Sequence, residues 1–146
     1  MNSLNIDGVV LTPLRKIKVE GGDVLQGLKS SEDCFTKFGE AYFSSIDPGA
    51  IKAWKKHTIA TLNLIVPVGE VLFVLSEENG KFAKVKFQEV FLSLEKYNRL
   101  TIPPNVWFGF QGLGTESSLI LSLSNIEHCS NEIVRADKNE FGYKWV

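Results

Sequence analysis

Short runs of apolar and β-branched residues alternate with turn residues along most of the chain. Such runs at near-regular spacing are typical of antiparallel strands rather than helices. The segments that we predict as strands are 9–11, 41–46, 60–68, 70–75, 82–90, 99–102, 106–111 and 118–123. Asn79-Gly80, between two of these runs, predicts a tight hairpin turn. The pattern indicates a sandwich, barrel or jelly roll of roughly eight to ten strands.

Helical periodicity is weak along the whole chain. Lys29–Phe38 fits a short helix, and Glu89–Tyr97 fits at most one turn of helix. No linker, repeat or low-complexity run interrupts the sequence, and 146 residues suit one domain. We therefore predict a single all-β domain over residues 1–146.

Composition narrows the classes of partner. Sixteen basic and seventeen acidic residues give a net charge of −1, which leaves no basic excess to neutralise nucleic acid. Cys34 and Cys129 have no metal-site spacing and are too few for a disulfide framework. No signal-peptide pattern or 18-residue apolar stretch is present. We expect a cytoplasmic protein without a nucleic-acid or membrane partner.

Glycine and proline spacing narrows the choice of β architecture. Gly49 and Gly69 stand at the spacing of the two glycines in the first motif of the cupins, and Pro103–Phe108 resembles the second motif. This resemblance implies a cupin-type jelly roll, a double-stranded β-helix with little helix.

The metal-ligand positions of those two motifs have changed. They read Lys55, His57, Leu62 and Phe108, of which His57 alone is a metal-ligand type. Because a divalent ion in this fold needs three or four His or Glu donors, we predict neither a metal nor another cofactor.

One metal-free branch of the cupins matches over most of the chain. Ile102–Phe110 resembles the Ile-Pro-Pro-Gly-Val-Trp-His-Gly-Phe segment of the dTDP-4-dehydrorhamnose 3,5-epimerase family. Ile51–His57 resembles that family's Ile-Arg-Gly-Trp-His-x-His, and the tail Glu132–Trp145 resembles a divergent branch. The resemblance implies a nucleotide-sugar partner such as a dTDP-4-keto-6-deoxyhexose, a role in polysaccharide or lipopolysaccharide sugar synthesis, and a homodimer.

The family's catalytic positions are substituted. Its histidine base, oriented by an aspartate, falls on Lys55, and its enolate-stabilising lysine falls near Leu62 or Asn63. The segment expected to hold its tyrosine acid, 124–131, contains His128 but no tyrosine, and its diphosphate-binding arginine corresponds to Lys52.

Three residues are therefore catalytic candidates. Lys55 is a general base if burial or its lysine neighbours lower its pKa, an electrophile, or a solvated or phosphate-facing cation. If His57 lies on a strand, it shares a face with Lys55, and it is either a base or a hydrogen-bonded interior histidine. His128 stands in a polar loop, where solvent exposure competes with a catalytic role.

Five residues are candidates for substrate binding. Lys52 is the expected diphosphate contact, and Arg99 and Arg135 are alternative clamps or members of surface ion pairs. Phe108 is assigned to the cavity, and its neighbours Trp107 and Phe110 to the core. Tyr143 covers the pocket, contacts a second subunit or simply packs. The candidates are Lys52, Phe108, Arg99, Arg135 and Tyr143.

Different functions remain open from these residues. The substituted positions favour a nucleotide-sugar binding protein that lacks the family's standard epimerisation. An active epimerase or isomerase using Lys55 or His57 as its base is the alternative, and a scaffold that uses the jelly roll only to dimerise is a third.

Overall fold

The computed structural model describes residues 6–77 and 86–146, together with the backbone of residues 2 and 3. Within these residues the regular structure is almost entirely β. The strands are β1 Asn2–Ser3, β2 Val10–Pro13, β3 Lys16–Ile17, β4 Val24–Leu25, β5 Glu40–Ile46, β6 Ile51–His57, β7 Leu62–Val68, β8 Glu70–Glu77, β9 Lys86–Ser93, β10 Asn98–Ile102, β11 Trp107–Leu113, β12 Ser118–Ser124 and β13 Ile133–Arg135. A 3₁₀ turn spans Ser130–Glu132.

Two antiparallel sheets face each other. Sheet I has the order β1-β2-β10-β7-β12-β5, and sheet II has the order β13-β6-β11-β8-β9. β3 and β4 form a separate small ribbon. From β5 to β13, strands that follow one another in sequence alternate between the two sheets, except that β8 and β9 pair within sheet II. Two facing antiparallel sheets connected in this way are typical of a jelly roll, and the all-β jelly-roll prediction is confirmed.

The main core lies between the two sheets and comes from alternate residues of each strand. Leu62, Leu64 and Val66 of β7 face Phe73 and Leu75 of β8, and all five are at most 2% exposed. Because each side chain of this size gains about 1.5–3 kcal/mol on burial, this layer supplies most of the driving force for folding.

A second apolar layer covers the outer face of sheet II. Trp54 and Trp107 belong to it, and the C-terminal segment lays Phe141, Tyr143 and Trp145 against Trp54. Trp107, which the sequence assigned to the core, thus belongs to this second buried layer.

The outer face of sheet I is covered by the segment 26–36. Thr101 and Asn63 pair on this face, and the Asn63 side chain donates to the Cys34 carbonyl. Arg99 lies on the same face, fully buried, and donates to the carbonyl of Gly27. A loop without regular structure is thus fixed by polar contacts to the sheet beneath it.

Two turns depend on residues suited to left-handed backbone. Gly69 has φ +87°, and a Cβ there would lie 2.2 Å from the Ser118 hydroxyl oxygen. Asn105 has φ 68°, a value that asparagine tolerates better than most residues, and its N–H donates to the His57 carbonyl at 2.6 Å.

The structure departs from the sequence predictions in two places. The helix predicted for Lys29–Phe38 is wrong: the segment forms turns, and the Glu32 carboxylate that binds the Lys29 N–H is drawn to Arg99. The structure also contains strands that were not predicted, namely β6 over Ile51–His57 and the short strands β1, β3, β4 and β13. The predicted Asn79-Gly80 turn lies outside the described residues, although β8 and β9 pair on either side of it.

No helix in the described part of the chain could span a membrane.

Candidate functional site

An irregularity in sheet II brings two lysines to one face. Phe108 pairs with Lys55 and Phe110 with Lys52, so two residues of β6 oppose the single residue Gly109 of β11. Strict alternation would put Lys52 and Lys55 on opposite faces, but this bulge returns both to the face of the two phenylalanines.

A cavity of about 330 Å³ opens on this face. Its walls come from neighbouring strands β6, β11 and β13. The lining residues are Lys52, Ala53, Trp54, Lys55, Phe108, Phe110, Arg135 and Ala136. It combines aromatic surface with the positive charges of two lysines and an arginine, which suits a ligand with an apolar part and an anionic part.

Beside this cavity lies a buried His–Glu pair. His57 ends β6, and β13 pairs with β6 so that Ile133 lies opposite His57. The preceding residue, Glu132, is thereby placed against the imidazole, with 2.5 Å between Oε2 and Nδ1. His57 is 8% exposed and Glu132 is 3% exposed.

Both oxygens of the Glu132 carboxylate take part in hydrogen bonds. Its Oε1 accepts hydrogen bonds from the N–H groups of Ile59 and Ala60, at 3.0 and 2.8 Å. Burial by itself raises the pKa of this carboxyl, but these two donors and His57 lower it more, so the net pKa lies below its ordinary value. Glu132 is therefore ionised at neutral pH.

The environment of His57 keeps its ring neutral. Burial lowers the pKa of His57 and outweighs the opposing effect of Glu132, while the charges of Lys55 and Arg135 lower it further. A neutral ring that donates Nδ1–H to Glu132 carries its lone pair on Nε2. That Nε2 is buried and has no hydrogen-bond partner in the described residues.

Phe108 packs against one side of the His57 imidazole ring. Its ring lies nearly parallel to the imidazole, with 6.1 Å between centroids and 13° between planes. Phe108 is itself 5% exposed. Together with the hydrogen bond from Asn105 to the His57 carbonyl, this contact leaves His57 one orientation.

Lys55 lies in the cavity wall and is half-buried. Burial is the largest influence on its pKa, and the charges of Arg135 and Lys52 lower that pKa further, while Glu132 raises it in part. The net pKa lies below the ordinary lysine value. The position therefore favours loss of the proton more than an exposed lysine would, while Lys55 remains placed to contact an anion.

A second, smaller recess adjoins His57. Its volume is about 20 Å³, room for about one water molecule or one ligand hydroxyl. The residues around it include Glu40 and Tyr42 of β5, His57, His128 and Glu132.

The structure separates the predicted site residues. Lys52, Lys55, Phe108 and Arg135 line the cavity together, and His57 stacks on Phe108. His128 is exposed and borders the small recess, and its backbone N–H donates to Glu40.

Two predicted ligand contacts do not reach the cavity. Arg99 is fully buried on the outer face of sheet I, where it donates to Glu32 at 2.7 Å. Tyr143 packs on Trp54 from the outer side of sheet II, and its hydroxyl donates to Glu89 at 2.6 Å. We correct both assignments, because each side chain is committed to a structural contact elsewhere.

The structure also places other residues that the sequence singled out. Phe110, assigned to the core, packs on Phe73 but also lines the cavity. At the position of the family's enolate-stabilising lysine, Leu62 belongs to the core, and the Asn63 side chain bonds to Thr101. Within residues 6–77 and 86–146, no three side chains of metal-ligand type come together.

Sequence reasoning missed Glu132 and Tyr42 as site residues. Glu132 is 75 residues from His57, and only the pairing of β13 with β6 brings them together. Tyr42 stands on β5, and alternation along that strand was the one available signal that it faces inward with the buried Ile46.

Comparison with solved structures gives clear relatives. A dTDP sugar isomerase from Desulfovibrio desulfuricans G20 is 35% identical with a TM-score of 0.89, over 96% of this chain and 92% of that one. ChmJ, a 3′-monoepimerase from Streptomyces bikiniensis solved with dTDP-quinovose, is 12% identical with a TM-score of 0.83, over 99% of this chain and 78% of that one. QdtA, a sugar 3,4-ketoisomerase from Thermoanaerobacterium thermosaccharolyticum solved with TDP, is 16% identical with a TM-score of 0.75, over 93% of each chain.

No family model and no curated protein matches the chain significantly. The two more distant structures share the fold. The Desulfovibrio protein shares both fold and sequence over nearly its whole length. This chain therefore belongs to the family of dTDP-sugar isomerases and dTDP-4-dehydrorhamnose 3,5-epimerases.

Proposed function

We propose that the protein is a dTDP-sugar isomerase or epimerase in which His57 is the general base. The observation that carries this proposal is the buried pair in which Glu132 Oε2 lies 2.5 Å from His57 Nδ1, while Nε2 has no hydrogen-bond partner within residues 6–77 and 86–146. A carboxylate that fixes the tautomer of a neutral histidine is the arrangement that prepares the other ring nitrogen to accept a proton. The 35% identity to a dTDP sugar isomerase supports the substrate class.

The chemistry begins with removal of a proton from carbon beside the sugar's keto group. His57 Nε2 takes this proton, and the C–H electron pair moves into an enolate. The resulting imidazolium is stabilised by Glu132, which keeps its charge throughout. A developing negative oxygen is stabilised by a nearby cation, and Lys55 in the adjoining cavity wall is suited to this role.

The cavity suits the rest of the ligand. Lys52 and Arg135 supply charge for a diphosphate, and Phe108 and Phe110 offer apolar surface to a deoxysugar or a base. Lys52 is exposed and binds the Ser45 carbonyl at 2.8 Å, so it reaches a ligand by exchanging that contact.

Solvent exchange tests the proposal directly. The protein is incubated with dTDP-4-keto-6-deoxyglucose in D₂O, and the sugar C3 and C5 protons are followed by NMR. We expect enzyme-dependent deuterium incorporation that falls at least about a hundredfold in His57→Gln. The variants Lys55→Met and His128→Gln test the competing bases. Full exchange in His57→Gln would exclude His57 as the base.

A binding protein without catalysis is the second candidate. The observation in its favour is that the family's base position holds Lys55 and that Phe108 replaces a histidine. Saturable dTDP binding with no deuterium exchange would favour this candidate. In that case Arg135→Ala should weaken binding, whereas Lys18→Ala, an exposed lysine paired with Asp23, should not.

A homodimer accompanies the proposal. Phe43 of β5 is 65% exposed on the outer face of sheet I and lies opposite Leu121 in register. Apolar surface of this kind suits contact with a second subunit. Light scattering after gel filtration should give twice the chain mass of 16.3 kDa. In Phe43→Asp the measured mass should fall toward that of a single chain. The cytoplasmic location and the role in polysaccharide or lipopolysaccharide sugar synthesis stay predictions.

A further inference from the structure

Lys55 stands between two different neighbours in the wall of the ligand cavity. In the register of sheet II it pairs with Phe108 of β11 on one side and with Arg135 of β13 on the other. The bulge between β6 and β11 adds Lys52 to the same wall. The half-buried Lys55 side chain thus has an aromatic residue on one flanking strand and a cation on the other.

Among the described residues, no acidic side chain lines this cavity. Three of its lining residues are cations, and the other five are apolar. Glu132 is the carboxylate that acts on Lys55, but its two oxygens are already bonded to His57 and to two backbone N–H groups. Burial and the neighbouring cations lower the pKa of Lys55 and outweigh Glu132. A lysine in such surroundings can supply the neutral amine that nucleophilic catalysis requires.

The proposed base is the next residue along the same strand face. His57 follows Lys55 by two residues on β6 and stacks on Phe108, the cross-strand partner of Lys55. Two residues of extended strand span about 7 Å, a distance that a long lysine side chain and the adjacent carbons of a sugar can bridge. Lys56, between the two, lies on the opposite face, with its Nζ 5.0 Å from the centre of the Trp107 ring.

The chain has no cation at the position where the family resemblance places the enolate-stabilising lysine. Leu62 at that position belongs to the core, and the Asn63 side chain bonds to Thr101. A protonated imine at the keto carbon supplies the same stabilisation through a bond, because its positive nitrogen accepts the electron pair of the neighbouring C–H bond. A lysine in the cavity wall can therefore take over this task from a cation elsewhere.

We propose that Lys55 forms a covalent imine with the keto carbon of the sugar, and that His57 then removes the proton from the neighbouring carbon. This inference rests on the proposed isomerase function and replaces a charge contact at the keto oxygen by a bond to the keto carbon. Lys55 Nζ adds to that carbon, and the C–O bond breaks. The oxygen leaves as water with two protons of the Lys55 ammonium, so the protonated imine keeps the single positive charge.

The proton transfer takes place on this imine. His57 Nε2 takes the proton from the neighbouring carbon, the C–H electron pair forms a C=C bond, and the C=N pair moves onto Nζ to give a neutral enamine. A proton delivered from His57 or from water to that carbon restores the protonated imine. Water then adds to the imine carbon, and the C–N bond breaks to release the ketone and the Lys55 ammonium.

Reductive trapping tests the bond directly. The full chain is mixed with dTDP-4-keto-6-deoxyglucose and sodium cyanoborohydride, a reagent that reduces a protonated imine to a stable amine. Intact-mass spectrometry should show the addition of one ligand, less one water molecule and plus two hydrogen atoms, and peptide mapping should place it on Lys55. Lys56→Arg is the matched control, since it removes the adjacent lysine on the opposite face, and it should leave the trapped fraction within about twofold.

Two variants separate the covalent step from the proton transfer. Lys55→Arg keeps the positive charge but forms no imine, so we expect no adduct and deuterium exchange at least about a hundredfold slower. His57→Gln keeps the amine but loses the base, so the adduct on Lys55 should persist while exchange falls by a similar factor. Binding of dTDP by Lys55→Arg, measured by calorimetry, verifies that the cavity is intact.

The outcomes distinguish the imine from the proposed function. Exchange in Lys55→Arg within about tenfold of the unmodified protein overturns the imine and leaves His57 as a base acting on the free ketone. An exchanging protein whose trapped adduct is absent, or is spread over exposed lysines, overturns it as well. An adduct on Lys55 without exchange supports the bond and overturns the isomerase function. Absence of both adduct and exchange overturns the two together.

Discussion

Two pairs of an acidic and a basic residue in this molecule have similar contact distances but different surroundings. Arg99 and Glu32 meet at 2.7 Å outside sheet I, and His57 and Glu132 meet at 2.5 Å at the edge of sheet II. Each basic residue also has a buried nitrogen with no hydrogen-bond partner among the residues that the structure describes. On Arg99 that nitrogen is Nε–H of a guanidinium that never loses its proton, so it has no capacity as a base. On neutral His57 that nitrogen is Nε2, which carries a lone pair and can accept a proton.

The surroundings widen this difference. Arg99 is sealed under the segment 26–36, and its side chain serves to hold that loop. His57 borders a recess and adjoins the ligand-sized cavity. A buried pair of an acidic and a basic residue can therefore supply a base only where one nitrogen of the pair is unprotonated and next to open space.

The largest expected effect comes from breaking the structural pair. Arg99→Ala strands Glu32 and opens space under the loop, so the free energy of unfolding should fall by about 3–5 kcal/mol. Urea denaturation measures this loss, with the exposed Arg15→Ala as a control that changes stability by less than about 0.5 kcal/mol. A loss below about 1 kcal/mol for Arg99→Ala would contradict a structural role.

Breaking the other pair should affect chemistry more than stability. In Glu132→Gln the amide can still accept from Ile59 and Ala60, but its NH₂ group faces His57 Nδ1. The imidazole then carries its proton on Nε2, so the lone pair leaves the recess. We expect deuterium exchange to fall about a hundredfold. Glu140→Gln, on the exposed tail, is the control, and equal rates in both variants would contradict this role for Glu132.

The turn that holds the His57 backbone should contribute a smaller amount. Asn105→Ala places an ordinary residue at φ 68° and should lower the free energy of unfolding by about 1 kcal/mol. Asn105→Gly relieves the strain and should be neutral within a few tenths of a kcal/mol. If thermal unfolding ranks the glycine variant below the alanine variant, conformational strain is not the reason for asparagine there.

Phe108 should set the pH range of the site. Phe108→Leu removes the ring stacked on His57 and admits water, so the pKa of His57 should rise toward its ordinary value. The acid limb of the exchange reaction should then move to higher pH, because protonated His57 cannot accept a proton. An NMR titration of the imidazole protons gives the same shift without substrate, and an unchanged titration would refute this influence.

The smallest effect concerns the pH dependence of stability. The Arg99 hydrogen bond lowers the pKa of the Glu32 carboxyl below its ordinary value despite partial burial. The stability this provides is fully present above the unfolded pKa, near 4.5, and is lost as the pH falls through the lower folded value. Glu32→Gln should therefore flatten the acid side of the stability profile, while a profile that keeps its full slope would assign that slope to other carboxylates.

These pairs also show how far the sequence could be read. Alternating apolar runs and turn residues predicted the all-β sandwich, because burial of alternate side chains is a local property of each strand. The cavity residues Lys55 and Phe108 followed from motif spacing.

Long-range pairing could not be read in the same way. The sequence around Arg99 carries no signal that the segment 26–36 covers its side chain. The sequence around Glu132 likewise carries no signal that β13 pairs with β6. The bulge that turns Lys52 toward the cavity is likewise a property of two paired strands, not of one.

The late position of Glu132 has a consequence for biosynthesis. The buried core between the sheets comes from residues 6–120, all of which leave the ribosome before Glu132. At a synthesis rate of roughly 5–20 residues per second, Glu132 is added about 4–15 s after His57. A chain cut by a protease after Asn131 would retain that core yet lose the pair, together with the tail that covers Trp54. Such a cut should therefore lower the stability of the second apolar layer and, under the proposed function, abolish the activity.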